Sequence, residues 1–133
     1  MTIALFCILI AAVMPIVCAG ISKSSAWGVP RREGGYDNRN PRDWAAKQEG
    51  GAKWANAAQE NSWEALPFFA AAVIVSHMLG VVGTLPNTLA MVFIGLRVVY
   101  VWLYVTGRQS QRSLVWVVAL AVNVAIFLLP VFN

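Results

Sequence analysis

The chain has 133 residues, 59% of them hydrophobic and 12% charged, with a formal net charge of +4. A soluble domain of this length ordinarily carries about 45–50% apolar and about 25% charged residues, so the composition excludes an ordinary water-soluble globule. The size fits one compact unit rather than two, and the positive charge sits in short segments between apolar runs, which suits a membrane surface and not nucleic acid.

The first apolar run is Met1 to about Ile21. A cleaved signal peptide carries basic residues ahead of its apolar core, whereas here Lys23 follows the run. The stretch is therefore expected to be a retained helix, kinked at Pro15. Cys7 and Cys18 both lie in it, roughly 16 Å apart along a helix axis. That distance forbids a disulfide, and the two thiols read as small buried apolar groups. His77 is the single histidine; no metal-type spacing exists, so no metal site is expected and His77 reads as a packed or interfacial residue.

Residues 22–55 change character, being rich in Gly, Pro, Ser and Asn with seven Lys/Arg against four Asp/Glu. They form a predicted loop with a short interfacial helix near Asp43–Gln48. The second span is expected over 56–82, "GTLPN" at 83–87 is a turn signal, and the third span covers 88–106. "GRQSQRS" at 107–113 makes a second short turn before a fourth span at 114–132. Each span is close to the ~20 residues that cross a hydrocarbon core. Strand-like alternation is absent, so backbone satisfaction in lipid makes every span a helix. The expected fold class is an all-α membrane protein, an up-down bundle of four transmembrane helices in a single domain.

Lys23, Arg31, Arg32, Arg39, Arg42, Lys47 and Lys53 lie between spans one and two, and Arg108 and Arg112 between spans three and four. The positive-inside rule then puts loops 22–55 and 107–113 in the cytosol and both termini in the periplasm or lumen. Trp54, Trp63 and Trp116 are expected to anchor the cytosolic interface.

Arg97 lies inside the third span, where a guanidinium costs ~3 kcal/mol or more at the centre of a helix. Glu64 lies inside the second. Glu64 is 11 residues past Lys53, Arg97 is 11 before Arg108, and Asn123 is 11 past Arg112. Each is thus roughly 16 Å from its own basic flank on a straight helix. The expectation is an ion pair between Arg97 and Glu64, on the same chain or on a neighbouring subunit, with Asn61 or Asn123 taking leftover donors. Such a pair offsets the burial of two charges without necessarily adding stability, and on these residues alone it could serve only to join helices. Arg97, Tyr100 and Tyr104 are spaced i, i+3, i+7 and share a face, while Glu60, Asn61 and Glu64 span about 100° of the second helix. A polar stripe rising to a basic rim reads as a pocket for a polar, anionic molecule; tyrosines at lipid headgroups are the plainer alternative, which suits Tyr104 better than Tyr100.

Three local patterns carry a resemblance. "AAQENSWEALPFF" gives Asn61, Glu64 and Pro67; "GLRVVYVWLY" gives Arg97 and Tyr104; "RS" gives Arg112 and Ser113 at the start of the fourth span. In this order the sequence resembles the membrane-associated proteins in eicosanoid and glutathione metabolism, the MAPEG family, and most of all its bacterial branch. The resemblance implies a homotrimer in a bacterial inner membrane, with glutathione bound at each subunit interface near the cytosolic side. It also implies a transferase or peroxidase acting on lipophilic electrophiles or hydroperoxides, with Arg112 and Ser113 stabilising the thiolate. Asn61, Glu64, Arg97, Tyr100, Tyr104 and Gln59 would hold the tripeptide. The family also holds a non-catalytic lipid-binding member, so a lipid- or partner-binding protein of the same fold is the alternative. The partners implied are membrane lipid, further copies of the chain and a lipophilic small molecule. A transporter gated by Glu64 and Arg97 has only the intramembrane charge in its favour. The chain departs from the family at Ala57, Ala58, Gln59 and Glu60, where basic residues are frequent, at Tyr100, where histidine is frequent, and at Trp116, where an aromatic hydroxyl is expected.

Overall fold

The computed structural model describes residues 1–132, and they are almost wholly helical. Helix α1 is Ile3–Ser24, α2 is the short Pro41–Ala46, α3 is Gly50–Met78, α4 is Thr84–Val105 and α5 is Gln109–Leu128, followed by a short 3-10 turn at Leu129–Val131. Helix α1 packs chiefly on α3 and α4 on α5, while α3 also touches both α4 and α5.

The α1–α3 contact is built from small side chains. Ala4, Cys7, Ala11, Pro15, Cys18 and Ser22 are the buried face of α1, and Ala55, Ala58, Ser62, Phe69, Ala72, Val73 and Ser76 are that of α3. Small residues let two helix backbones approach closely, which is the main source of attraction between helices in lipid. Both cysteines are accordingly buried free thiols. The bulky residues of α1, including Phe6, Leu9, Ile16 and Val17, point outward. That inversion of a soluble protein's plan suits a hydrocarbon surround. Phe69 of α3 stacks on Phe93 of α4 with ring centroids 4.2 Å apart and planes 11° from parallel.

Side-chain hydrogen bonds tie the end opposite the basic loops. Ser76 Oγ donates to the Ile126 carbonyl across α3 and α5 at 2.7 Å, and Asn87 Oδ1 accepts from the Ala4 N–H at 2.9 Å. His77 Nδ1 lies 2.9 Å from the Val73 carbonyl, which only accepts, so Nδ1 carries the proton. Its Nε2 then accepts from the Thr2 hydroxyl at 2.6 Å. Of the two expected readings, packed or interfacial, these contacts show the packed one.

The helices extend beyond the predicted spans toward the basic end. Helix α3 begins at Gly50 rather than 56 and α5 at Gln109 rather than 114. Hydropathy marks only the hydrocarbon-facing part of a helix, and polar turns can continue it into the interface. Helix α4 likewise starts at Thr84, inside the expected "GTLPN" turn, because Pro86 falls in its first turn, where a missing N–H costs nothing. Helix α1 runs through Pro15 without ending.

Three helices, α1, α4 and the α5 segment to Val131, are long and apolar enough to cross a membrane. Asn61, Glu64 and His77 make the apolar half of α3 more polar than these three.

The 22–49 segment is ordered around Trp44, which is 7% exposed. Its indole N–H donates to the Gly34 carbonyl at 3.3 Å and its ring meets Tyr36 edge-on at 5.2 Å. A Cβ on Gly35 would lie 1.9 Å from the Val29 carbonyl oxygen, so only glycine fits there.

Candidate functional site

The α4 periodicity delivers the stripe that the sequence implied. Arg97 and Tyr100 are 3% and 4% exposed, and Tyr104 is half-buried. The Arg97 guanidinium lies over the Tyr100 ring, 4.4 Å from its centroid. Tyr100 meets Tyr104 edge-on at 5.6 Å, and Arg112 of α5 covers Tyr104 at 4.1 Å. Two cations and two phenol rings thus form one column, from the deepest charge in the bundle to the basic end. The Gly107 turn sets its top: that residue has φ +74 and packs against the Trp54 ring, which places the first turn of α5 beside the last turn of α4.

Within the chain, the Arg97–Glu64 ion pair is not formed. Among the described residues the one ion pair is Arg31–Asp37, at 3.6 Å in the loop. Arg97 donates from Nη1 to Asn61 Oδ1 at 2.9 Å and from Nη2 to Ser62 Oγ at 3.2 Å. Ser62 in turn donates to the Ala58 carbonyl at 2.8 Å. The reason is rotational. At about 100° per residue, Glu64 stands roughly 200° around α3 from Ser62, the residue that faces the interior. Glu64 is exposed on the outer side and is linked to the guanidinium only through Asn61, whose Nδ2 is 3.5 Å from Glu64 Oε2. Asn123, matched to Arg97 in depth, makes no hydrogen bond to it either: its Oδ1 is buried without a partner among the described residues.

Asn61, Glu64, Arg97 and Asn123 nevertheless border one cleft of about 160 Å³ between α3, α4 and α5, with Phe68, Phe93 and Trp116 among its apolar walls. Tyr100, Tyr104 and Arg112 lie above it in the column. Ser113 is exposed and its hydroxyl donates to the Gln109 carbonyl at 3.2 Å, so the Arg-Ser pair lies in the first turn of α5 rather than in a loop. Gln59 does not join this group. It lines a separate groove of about 760 Å³ on the α1 side of α3, together with Lys23, Arg42, Lys53 and Trp63.

Ser62 is the site residue that sequence reasoning missed. Its signal was present: with Ala55, Ala58, Phe69 and Ser76 it continues a stripe of i, i+3 and i+7 spacings on one face. No cluster of three or more His, Cys, Asp or Glu able to hold a metal ion occurs among the described residues.

A helical bundle with membrane-crossing helices, outward apolar faces and a deep, hydrogen-bonded guanidinium defines an integral membrane protein with a polar interior. The sequence model of the MAPEG family matches residues 2–132. The chain belongs to the MAPEG family, which includes glutathione-dependent transferases and peroxidases as well as non-catalytic members. Comparison with curated proteins and with solved structures gave no match.

Proposed function

We propose that the protein is a glutathione-dependent transferase or peroxidase of a bacterial inner membrane, acting on lipophilic electrophiles or hydroperoxides. The observation that carries this reading is the Arg97–Tyr100–Tyr104–Arg112 column. It offers a tripeptide polar contacts at graded depth, with a half-buried cation at the top and a hydrogen-bonded one below. Glutathione presents two carboxylates, one α-ammonium and a thiol. Glu64 is the one acid bordering the cleft and has no cationic partner among the described residues, so it suits the ammonium, with Asn61 beside it. Arg97 is already held by Asn61 and Ser62 and acts as a stationary positive field, while Tyr100 and Tyr104 supply hydroxyls.

Arg112 is half-buried and not committed to any carboxylate among the described residues. A free thiol has a pKa of about 8.5, and an adjacent cation favours its thiolate. Arg112 supplies that charge, and Ser113 adds a hydrogen bond once its hydroxyl turns from the Gln109 carbonyl. In conjugation the thiolate forms a carbon–sulfur bond as the leaving group departs with its electron pair. In hydroperoxide reduction two glutathione molecules become a disulfide while the hydroperoxide becomes an alcohol and water. No protein nucleophile is required.

Further parts of this reading are a fourth membrane crossing by α3, cytosolic basic loops and a homotrimer. A neighbouring copy would cover Glu64 on its exposed side and bring Gln59, Lys23 and Lys53 of its own groove toward the tripeptide. A second reading, a non-catalytic lipid or partner binder, is favoured by Ala57 and Ala58 at positions where the family's enzymes are frequently basic.

Purified protein with glutathione and a lipophilic haloarene or hydroperoxide tests the proposal. Arg112→Ala is expected to lower turnover at least ten-fold, and Arg112→Lys to restore part of it. Unchanged turnover in Arg112→Ala refutes the assignment, and the absence of measurable glutathione affinity in the wild-type protein selects the second reading.

A further inference from the structure

Asn123 is 3% exposed, and its Oδ1 meets no donor among the described residues. Buried amides in lipid-embedded bundles ordinarily bond to a neighbouring helix, because no solvent is at hand to satisfy them. The cation that depth-matching pairs with it, Arg97, gives Nη1 to Asn61 and Nη2 to Ser62 instead. The amide oxygen is thus left over from the bundle's own hydrogen bonding among the described residues. It borders the cleft between α3, α4 and α5, whose wall near it is apolar: Phe68, Phe93, Leu120 and Trp116.

We infer that Asn123 recognises a neutral hydrogen-bond donor, an alcohol or hydroperoxide O–H, at the end of a lipophilic molecule that enters this cleft. The neighbouring charges narrow the choice. A carboxylate has no proton to give the amide oxygen and is drawn instead to Arg97, which borders the same cleft. An ammonium pairs with Glu64 before reaching the amide and is repelled by Arg97. A purely apolar tail leaves the amide oxygen without a partner, at full desolvation cost. A hydroxyl satisfies the acceptor while its chain lies on the aromatic wall. The cleft volume of about 160 Å³ is below the ~300–1,000 Å³ of sites that engulf a whole drug-sized ligand. It therefore accepts one end of the molecule, and the remainder lies along α5 in the bilayer. The word substrate rests on the proposed activity; the binding preference does not.

The probes are 10-bromo-1-decanol and its methyl ether, which differ in the single O–H. Binding is read by bromine quenching of Trp116 fluorescence in detergent micelles, with Trp116→Phe as the reference that reports quenching of the other tryptophans. The expected result is at least ten-fold tighter binding of the alcohol by wild-type protein. Asn123→Leu should bring the two probes within two-fold. Equal binding of alcohol and ether by wild-type protein overturns the inference, as does a preference that survives in Asn123→Leu or quenching unchanged in Trp116→Phe. The wild-type comparison stands even where a variant does not fold. Alcohol preference without any glutathione-dependent turnover upholds this inference and removes the proposed activity; turnover without alcohol preference does the reverse.

Discussion

Replacing Asn61 with leucine removes the acceptor of Arg97 Nη1, a 2.9 Å hydrogen bond, while keeping side-chain volume. A hydrogen bond to a charged group is worth about 1.5–3 kcal/mol in soluble proteins. Side-chain bonds between membrane helices average only about 0.6 kcal/mol, with a maximum near 1.7, because the unfolded helix finds other partners. Arg97 is 3% exposed, so water reaches the vacated place only through the cleft, and the cost should fall near the upper membrane figure, about 1.5 kcal/mol. Ser62→Ala should cost less, about 0.5–1 kcal/mol, since that bond is longer at 3.2 Å. Arg97→Met removes the charge together with its requirement for partners, while Ser62 keeps its bond to the Ala58 carbonyl and Asn61 its contact with Glu64. Asn61→Leu in the Arg97→Met background should then cost less than about 0.5 kcal/mol, giving a coupling energy near 1 kcal/mol. The assay is unfolding in mixed micelles of dodecyl sulfate and dodecyl maltoside, followed by circular dichroism. Equal destabilisation by Asn61→Leu in both backgrounds would refute the claim that Asn61 stabilises the bundle through Arg97. The same cycle separates stability from function: Arg97→Met is expected to fold as well as wild type and to bind glutathione at least ten-fold more weakly by calorimetry.

Gly35→Ala forces a Cβ into the Val29 carbonyl, with the Val29 and Pro30 carbonyl carbons 2.7 and 2.9 Å away; the loop should open, seen as faster tryptic cleavage after Arg31 and Arg32 with the helical signal unchanged. In the same loop the Arg39 backbone N–H, aided by the Asn40 side chain and Arg31, holds the Asp37 carboxyl below its ordinary value. A depressed folded-state value means the contribution is complete above the unfolded value and is lost as pH falls through the folded one. Protease resistance of the loop should therefore persist through the usual carboxylate range and fail only in stronger acid, and Asp37→Asn should abolish that dependence. Tyr104→Leu removes the ring beneath Arg112; a half-exposed cation–π contact is worth only about 0.5–1 kcal/mol, so unfolding should shift little while the KM for glutathione rises several-fold.

Much of this arrangement was legible in the sequence because apolar run length, basic flanks and the 3.6-residue period each act locally. The Arg97–Tyr100–Tyr104 stripe is read directly from spacing, and the buried cysteines follow from their place on a face of small residues. Asn61 was read correctly as a partner of Arg97, but Glu64 on the same chain was not excluded, because counting residues from a basic flank gives depth and says nothing of rotation about the helix axis. Rotation was recoverable on α3: the stripe through Ala55, Ala58, Ser62, Phe69 and Ser76 points inward, which turns Asn61 sideways and Glu64 out. The helices begin earlier than the expected spans for a different reason. Polar turns such as Gln109–Ser113 stay helical, so polarity there does not mark a loop.

The two arginines of the column show how burial divides one side-chain type between two tasks. Arg97, 3% exposed, is held by Asn61, Ser62 and the Tyr100 face, and a guanidinium so fixed cannot follow a reacting atom. It sets a constant field at the floor. Arg112 rests on one ring at 4.1 Å near the start of α5 and makes no ion pair among the described residues, which under the proposed activity leaves it available to a thiolate. A lysine would fill neither place equally well, since the planar fork makes the paired contacts below and the ring stacking above. Arg97→Lys should therefore fail in binding even though it keeps the charge, while Arg112→Lys should lose turnover only in part. Equal losses in the two variants would mean that charge alone is used at both levels.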